Sequence, residues 1–562
     1  MTSHMTSLQT FFLLAPELVL VAAALIAFLG GGFARLRHGW LVALIGIVVA
    51  MLVAGDQPAA GSWVTSGGVC VDAFSSYVRW TVLVLGGLLC LVQAGDLFPT
   101  AVTRTGMIRS GGTCEEAGTF LVLLAGLSLA ALADDLVLLF VGLELVSIPT
   151  YILLALKRTD AHGQEASLKY FFLSLVASAL FLYAAVCLYG IGGSTNLTLI
   201  GARLRSAEPS LVGMVTVLLP VAIGMTLAGA AFRLAAVPMH FYAPDVYEGT
   251  SPSNAALLST LPKVAGIVVL ARVLALAIPP AAAIDSAAVG GAATAYLELF
   301  WKVAAILAAV TMTVGNVMAL LQRNLRRLLA CSSIAHAGYL LVGIAAAAAA
   351  ESTRAAPAGG PTSADTAWTL GLGGLAASLF YLATYALATT GVFAALTYLG
   401  HRWPEWTAGS GPRPPREEVT TVDDLDGLSS TNPVAAFAIA LFLLSLAGIP
   451  PLPGFWGKLT LATSALEVDW NAAIDFGSRR AWFVSLAVIL VLNAAIAAAY
   501  YLRIIAAMYF RSTKRGVQAD GGLTAGVAML LCTALVLMVT LQPRGLFASS
   551  SQAGTAIEKN AR

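Results

Sequence analysis

Charge is what this chain has least of. Only 11% of its 562 residues are Asp, Glu, Lys or Arg, against 59% hydrophobic, where soluble chains average roughly a quarter charged. With a mean hydropathy of +0.85, that scarcity excludes a soluble globular protein and leaves a polytopic membrane protein. The near-balanced charge, +2, is silent on nucleic acid. No basic patch with interleaved aromatics occurs, so no nucleic-acid partner is expected. Cysteine is scarce too. The six, Cys70, Cys90, Cys114, Cys187, Cys331 and Cys532, form no CxxC pair, which argues against zinc or iron–sulfur ligation. Cys90, Cys187, Cys331 and Cys532 lie in or at the ends of apolar runs, where cysteine acts as a small hydrophobe. There is no Walker loop, zincin motif or nucleophile elbow, so covalent catalysis has no carrier. Nor does a basic stretch precede the first apolar run, which is also too long for a cleaved leader; it reads as a mature first helix.

What is present is a series of long apolar runs. A bilayer-crossing helix needs about 20 apolar residues. That rule predicts an all-α membrane protein of about fourteen transmembrane helices, near 8–30, 40–55, 73–95, 117–133, 136–156, 166–190, 211–238, 251–278, 294–321, 327–349, 367–399, 432–464, 482–510 and 522–543. The two longest connections, 351–366 and 400–431, are rich in Pro, Gly, Ser and charge and read as solvent loops. Lys and Arg gather after odd-numbered helices: Arg35, Arg37, Arg104, Arg109, Lys157 and Arg158, then Arg323, Arg326, Arg327, Arg402, Arg413, Arg416, Arg511, Lys514 and Arg515. Connections after even-numbered helices hold Arg203, Arg205, Arg354, Arg479 and Arg480. The positive-inside rule then puts the odd connections in the cytoplasm and both termini outside. The acidic connection with Asp245 and Glu248 does not follow this pattern.

Two of the runs are interrupted. In AAFRLAAVPMHFYAPDVYEGTSPSNAALLSTLPKVAG (230–266) an apolar stretch reaches Arg233, breaks at Pro238 and is followed by His240; the next apolar stretch carries Pro262 and Lys263. In LAGIPPLPGFWGKL (446–459) Pro450, Pro451 and Pro453 precede Lys458. Proline inside a helix removes a hydrogen bond and clashes with the turn before it. The broken helices are the seventh and the twelfth, five positions apart, which is the sequence mark of an inverted repeat. The expected organisation is N-terminal helices 1–3 in 1–116, a first antiporter-like repeat (helices 4–8) in 117–278, a second (helices 9–13) in 279–510, and a last transmembrane helix with a C-terminal tail in 511–562.

Lipid offers no water to a freed carbonyl or a charge, so intramembrane ionisable groups face protein or a wet cavity and mark function by default. Glu144 lies mid-span in LLFVGLELVSIPTYILLAL; it reads as a proton-site modulator paired with a cation on a neighbouring helix, or as a fixed structural ion pair. Lys263 has apolar residues flanking it deeply on both sides, and such an amine exchanges its proton when a nearby carboxylate moves or is neutralised; the alternative is snorkelling to the interface. Arg233 supplies a permanent positive field but cannot relay a proton. His240 titrates near neutrality or is a hydrogen-bonded structural group. Ser333 and His336 are three apart and share a helix face, giving either a hydrated stripe between the halves or a polar seam that glues helices. Lys458 is the second half's counterpart of the first half's cation and the expected terminal proton site. Glu17, near a helix start, and Arg79, Lys169 and Arg503, close enough to span ends to snorkel, read as structural.

The stretches GLELVSIPTYILLAL (142–156), EASLKYFFLSLVASALFLYA (165–184), FRLAAVPMHFYAPDVYEGTSP (232–252), LPKVAG (261–266), GNVMALLQRNLRRLLACSSIAHAGYLLVG (315–343) and LAGIPPLPGFWGKL (446–459) resemble the antiporter-like subunits of bacterial NADH-quinone oxidoreductase, respiratory complex I, and within them the N type. The resemblance spans most of 120 to 510. It implies that Glu144 matches the family's fifth-helix glutamate, Lys263 the eighth-helix lysine at the centre of the proton path, and Lys458 the twelfth-helix lysine. His240 and His336 match histidines of the hydrated central axis. Arg233 departs from the pattern, because the family usually has lysine there. The connection 400–431 also looks longer than usual. The implied reaction is quinone reduction by NADH coupled to outward proton pumping in the bacterial plasma membrane. The resemblance implies no cofactor in this chain; NADH, FMN, iron–sulfur clusters and quinone belong to other subunits. Implied partners are antiporter-like subunit M, the small subunits K, J and A, and membrane lipid.

Two other readings compete. A Mrp-type cation/proton antiporter would use the same fold, but the PDVYEG and LPK stretches are of the N type. A structural subunit that pumps nothing is opposed by the presence of Glu144, Lys263 and Lys458, and favoured by Arg233.

Overall fold

The computed structural model describes residues 7–33, 38–57, 64–66, 68–95, 113–157, 160–205, 212–276, 291–354, 373–402, 417–470, 475, 477–512, 517–519 and 521–560. Among these, twelve helices are long and apolar enough to cross a bilayer. In chain order they supply the first span (Ala15–Gly32) and the third to eleventh: Ala73–Gly95, Thr113–Leu132, Leu136–Lys157, Ala161–Gly192, Val212–Leu234, Pro252–Ala275, Gly291–Leu321, Leu325–Arg354 and Gly374–Leu399. The thirteenth and fourteenth are Arg479–Phe510 and Leu523–Leu541. The shorter apolar helices Gly39–Gly55 and Pro433–Ala447 are the second span and the first half of the twelfth. The expected fourteen crossings are therefore present. Helix is the answer to lipid because it satisfies every backbone group within the segment.

Both expected interruptions are present. The seventh span stops at Leu234, and the chain restarts in a short helix, Ala243–Gly249. The twelfth stops at Ala447 and restarts as Pro453–Leu466. Each break carries a cis X–Pro peptide, Val237–Pro238 and Pro450–Pro451.

Burial sorts the spans. The most apolar stretches of the eighth and tenth are enclosed by protein along their whole length, whereas those of the thirteenth and fourteenth are buried over only a third. The periphery of the bundle shows lipid-compatible side chains, such as Phe172, Leu175 and Val176 on the sixth span and Val488, Val491 and Leu492 on the thirteenth. Lys263 and His336 thus ride on the two innermost helices. Tight crossings depend on glycine where a Cβ has no room: one built on Gly343 would lie 2.5 Å from the Gly374 carbonyl.

Two expectations need correction. Residues 417–431 are packed structure, not a solvent loop. Glu417–Glu418 pairs with Gly400–Arg402, which also pairs with Val517–Ala519. A 3₁₀ turn, Val422–Leu425, is closed by a capping box between Thr421 and Asp424, and Val422, Leu425 and Leu428 are buried. The composition is that of a loop, but buried apolar residues three apart, Val419, Val422, Leu425 and Leu428, anchor it. Arg79 does not snorkel: it is 3% exposed because Glu17 takes its charge inside the bundle. The C-terminal tail is a helix, Pro543–Asn560, whose Phe547 ring stacks on Phe380 at 4.2 Å. It is too polar for a hydropathy rule to find. Residues 355–366 and 403–416 of the two loops, and Arg35, Arg37, Arg104, Arg109, Arg158, Arg413, Arg416, Lys514 and Arg515, lie outside the described residues.

Candidate functional site

A helix that stops inside a bundle leaves carbonyls without intrahelical donors. At the first break three of the last four carbonyls find donors past the helix end. Ala231 O accepts from Ala236 N at 2.7 Å, and Phe232 O from Ala235 N at 3.0 Å and from the Tyr242 hydroxyl at 2.8 Å. Leu234 O accepts from Lys263 Nζ at 2.5 Å. The second break repeats the device. Leu444 O and Ser445 O accept from Gly448 N at 3.1 and 3.0 Å, while Leu446 O and Ala447 O accept from Lys458 Nζ at 2.8 and 2.9 Å. In both halves a lysine from the following helix meets the carbonyl end of the interrupted one, where the helix dipole favours a cation.

Neither lysine has a carboxylate within ion-pair distance among the described residues, and their exposures are 1% and 6%. Carbonyl oxygens accept strongly from an ammonium and more weakly from a neutral amine. Lys458 Nζ also lies 4.9 Å from the centre of the Tyr339 ring, a cation–π arrangement.

Between the lysines runs a tyrosine-rich polar line centred on His336, itself 1% exposed. His336 Nδ1 is 2.5 Å from the Tyr381 hydroxyl, and Nε2 is 3.0 Å from the Tyr501 hydroxyl, which also bonds Ser332. One turn away, Tyr385 donates to Ser333 at 2.9 Å, and Tyr247 of the short helix lies 3.4 Å from the same hydroxyl. Asn316 Nδ2 reaches Asn493 Oδ1 at 3.0 Å and Tyr339 at 3.4 Å, and its Oδ1 accepts from Tyr500 at 3.0 Å. Both lysines act electrostatically on His336. Hydroxyl and imidazole groups each donate and accept, so protons can pass within these groups; Lys263 and Lys458 themselves donate to backbone carbonyls.

Glu144 and Arg233 form the flank. Their nearest approach is 3.8 Å, with the Glu144 side chain 26% exposed. Each has a closer partner: Ser178 bonds the Glu144 carboxylate, while Arg233 donates to Ser147 at 2.9 Å and to the Leu143 carbonyl at 3.3 Å. The pair is loose, and each side chain has a serine partner of its own.

Of the residues singled out from sequence, the structure gathers Lys263, His336 and Lys458 inward and Glu144 with Arg233 beside them. It leaves His240 out. That histidine follows the break on a half-buried segment, and its Nδ1 has no hydrogen-bond partner among the described residues. Sequence reasoning missed Tyr247, Tyr381, Tyr385, Tyr500 and Tyr501, which read as core aromatics; the spacing of Tyr381 and Tyr385, one helical turn, was the available signal. It also missed the buried pair Arg272–Asp72, at 3.2 Å. Among the described residues no His, Cys, Asp and Glu cluster has metal-ligand geometry.

The comparisons identify the family. Residues 133–357 and 366–483 match the family described as NADH:quinone oxidoreductase/Mrp antiporter, TM. NADH-quinone oxidoreductase subunit N of Myxococcus xanthus is 33% identical over 98% of this chain and 98% of its own. Subunit N 1 of Sorangium cellulosum is 34% identical, with 84% and 80% covered. Among solved structures, a chain of respiratory complex I from Thermus thermophilus with bound aureothin superposes with a TM-score of 0.68 at 27% identity, covering 96% of this chain and 99% of that one. A chain of the Mrp complex from Dietzia shares the fold, with a TM-score of 0.68 at 20% identity over 99% and 100%. The chain belongs to the NADH-quinone oxidoreductase subunit N family, within the wider NADH:quinone oxidoreductase/Mrp antiporter family.

Proposed function

We propose that this chain is a proton-translocating membrane subunit of an NADH-quinone oxidoreductase, coupling electron transfer in its partner subunits to proton movement across the bacterial plasma membrane. The observation that carries the reading is the repeated device: two enclosed lysines, Lys263 and Lys458, each capping the carbonyl end of a broken helix, with His336 and its tyrosines between them.

In this reading Glu144, Arg233, Lys263, His336 and Lys458 form the pathway, with His240 at its margin. Closure of the Glu144–Arg233 pair draws the arginine's field toward the carboxylate; opening exposes Lys263 to more positive potential and favours release of its proton. Such coupling between charges is reciprocal. The proton then moves along His336 and the tyrosine hydroxyls to Lys458. Because Arg233 does not deprotonate, it acts as a fixed field and never as a carrier.

The reading places helices 4–8 (117–278) and 9–13 (279–510) as the two repeats and, from the Lys/Arg bias of the connections, both termini outside. NADH, FMN, iron–sulfur clusters and quinone are assigned to partner subunits, and subunits M, K, J and A to its neighbourhood. The test is the assembled oxidoreductase carrying Lys263→Ala, reconstituted in proteoliposomes. NADH-driven acidification should fall while NADH oxidation by an artificial acceptor persists. Unchanged pumping with intact assembly would mark the chain as a scaffold.

A further inference from the structure

A cavity of about 530 Å³ opens in the wall of the bundle, between the second and third spans on one side and the eleventh and fourteenth spans with the C-terminal helix on the other. Its lining is mainly hydrocarbon, including Trp80, Val84, Leu85, Leu387, Leu535 and Val539. Trp80 and Val84 are 41% and 40% exposed, so the cavity opens on the outer surface of this chain.

Six of the nine polar side chains of the lining are already committed to protein, Ser76, Trp80 and Gln552 being the others. The Arg79 guanidinium meets both Glu17 oxygens, at 2.9 and 3.1 Å, the Gln57 amide oxygen at 2.5 Å and the Leu13 carbonyl at 3.1 Å. Gln57 Nε2 donates to the Phe12 and Leu13 carbonyls. Tyr77 donates to Leu379 O, and Thr81 and Thr384 donate to carbonyls of their own helices. A buried water needs two to four polar partners, and little here is left to supply them. The spent charge of Arg79 equally gives no foothold to an anion. The volume lies within the range of ligand pockets, about 300–1,000 Å³, and the chemistry of the walls is aliphatic.

We propose that this cavity binds one acyl chain of a membrane phospholipid, entering past Trp80 and Val84 with its headgroup toward the exposed Gln552 of the C-terminal helix. Two buried residues of the lining, Thr384 and Pro453, give the chain a consequence. Pro453 opens the half-helix that bears Lys458, and Gly457 of that half-helix packs directly on Tyr381, with Thr384 beside it, so hydrocarbon in the cavity keeps water from the back of the Lys458 site. That consequence rests on the reading of Lys458 as a proton site; the binding itself does not.

The test uses the intact oxidoreductase in nanodiscs of phosphatidylethanolamine and phosphatidylglycerol containing a phospholipid with a diazirine in its acyl chain. Cross-links should concentrate on peptides containing Val84, Leu387 and Val539, above the level at the lipid-facing Leu175. Ala383→Phe should abolish the cavity cross-links and leave those at Leu175. If that variant fails to assemble, the wild-type map decides alone. Ala383→Cys should resist a charged methanethiosulfonate reagent. Labelling by that reagent would overturn the proposal by showing a wet cavity. Cross-linking no higher than at Leu175 would overturn it, as would displacement of the phospholipid by added long-chain quinone. Loss of pumping in Lys458→Ala with an unchanged cross-link map keeps the two readings separate.

Discussion

Ala235 and Gly448 hold the same station in the two interrupted spans. Each takes a left-handed conformation, φ 56° and 88°, directly after the carbonyl that a lysine caps, Leu234 O in one half and Ala447 O in the other. The two breaks therefore share a local geometry that their sequences barely show. Left-handed backbone costs a non-glycine residue roughly 1–2 kcal/mol, so the first break carries strain that glycine spares the second.

That asymmetry makes opposite substitutions informative. Ala235→Gly relieves roughly 1–2 kcal/mol of strain and loses roughly 0.5–1 kcal/mol to the greater freedom of glycine in the unfolded chain, so its net effect should lie between about zero and a gain of about 1.5 kcal/mol. Gly448→Ala gains the strain and puts a Cβ 2.9 Å from Lys458 Cδ. It should lower the thermal midpoint of the purified complex and reduce pumping, because the lysine must shift. Equal effects of the two changes would mean that the stations are not equivalent.

The Glu144–Arg233 contact predicts a graded response. At an effective dielectric of about 20, two unit charges near 4 Å interact by about 4 kcal/mol, enough to shift a neighbouring proton equilibrium more than tenfold. Arg233→Gln should therefore cut NADH-driven proton uptake steeply, with electron transfer to an artificial acceptor retained. Arg233→Lys keeps the charge and should retain much of the pumping. A lysine variant as inactive as the glutamine one would show that the fork-shaped donation to Ser147 and Leu143 matters more than the field.

Hydropathy made the spans legible because lipid punishes any other arrangement of backbone. Pro238 and Pro450 marked the breaks for the same reason, and Lys263 and Lys458 announced themselves as charges in apolar surroundings. What stayed hidden depends on tertiary contact. Nothing local tells Tyr381 and Tyr501 from core aromatics until His336 is placed between their hydroxyls. Arg79 looked free to reach an interface because Glu17 is 62 residues away in sequence. Residues 417–431 looked like a loop because their anchors, Arg326 on Glu418 and Arg511 on Asp423, come from distant helices.

Asp245 gives a pH-dependent expectation. Burial alone would raise its carboxyl, but hydrogen bonds and charge from Lys169, then from Arg327, outweigh it and hold the group below the usual carboxylate range. Both contacts are 2.8 Å, and they tie the short helix Ala243–Gly249 to the sixth and tenth spans. A depressed carboxylate stabilises the fold above its unfolded value, about 3.9, and that contribution is lost as pH falls through the lower folded value. The clasp should thus be constant from pH 5 to 8 and fail only below about pH 4. Asp245→Asn should lower stability at neutral pH and flatten the acid limb of the thermal-midpoint profile. A profile unchanged in the variant would leave the clasp without energetic weight.

The Glu17–Arg79 pair separates structural charge from pumping charge. It is enclosed, with side-chain exposures of 7% and 3%, and Ser128 also bonds the carboxylate. Removing one partner of such a pair strands the other, at a cost of about 3–5 kcal/mol, whereas replacing both with apolar residues of similar volume is often neutral or stabilising. Arg79→Leu should therefore destabilise the complex sharply, and Glu17→Leu with Arg79→Leu should recover most of the loss. The pair bonds Gln57, Leu13 and Ser128 and makes no hydrogen bond or ion pair with Lys263, His336 or Lys458 among the described residues, so the double variant should pump at the wild-type ratio per NADH oxidised. Lost pumping in a double variant of restored stability would move Glu17 and Arg79 into the proton path. Lost stability without recovery would instead make the pair a specific polar pin, which the packing of Ser128, Gln57 and Leu13 around it cannot replace.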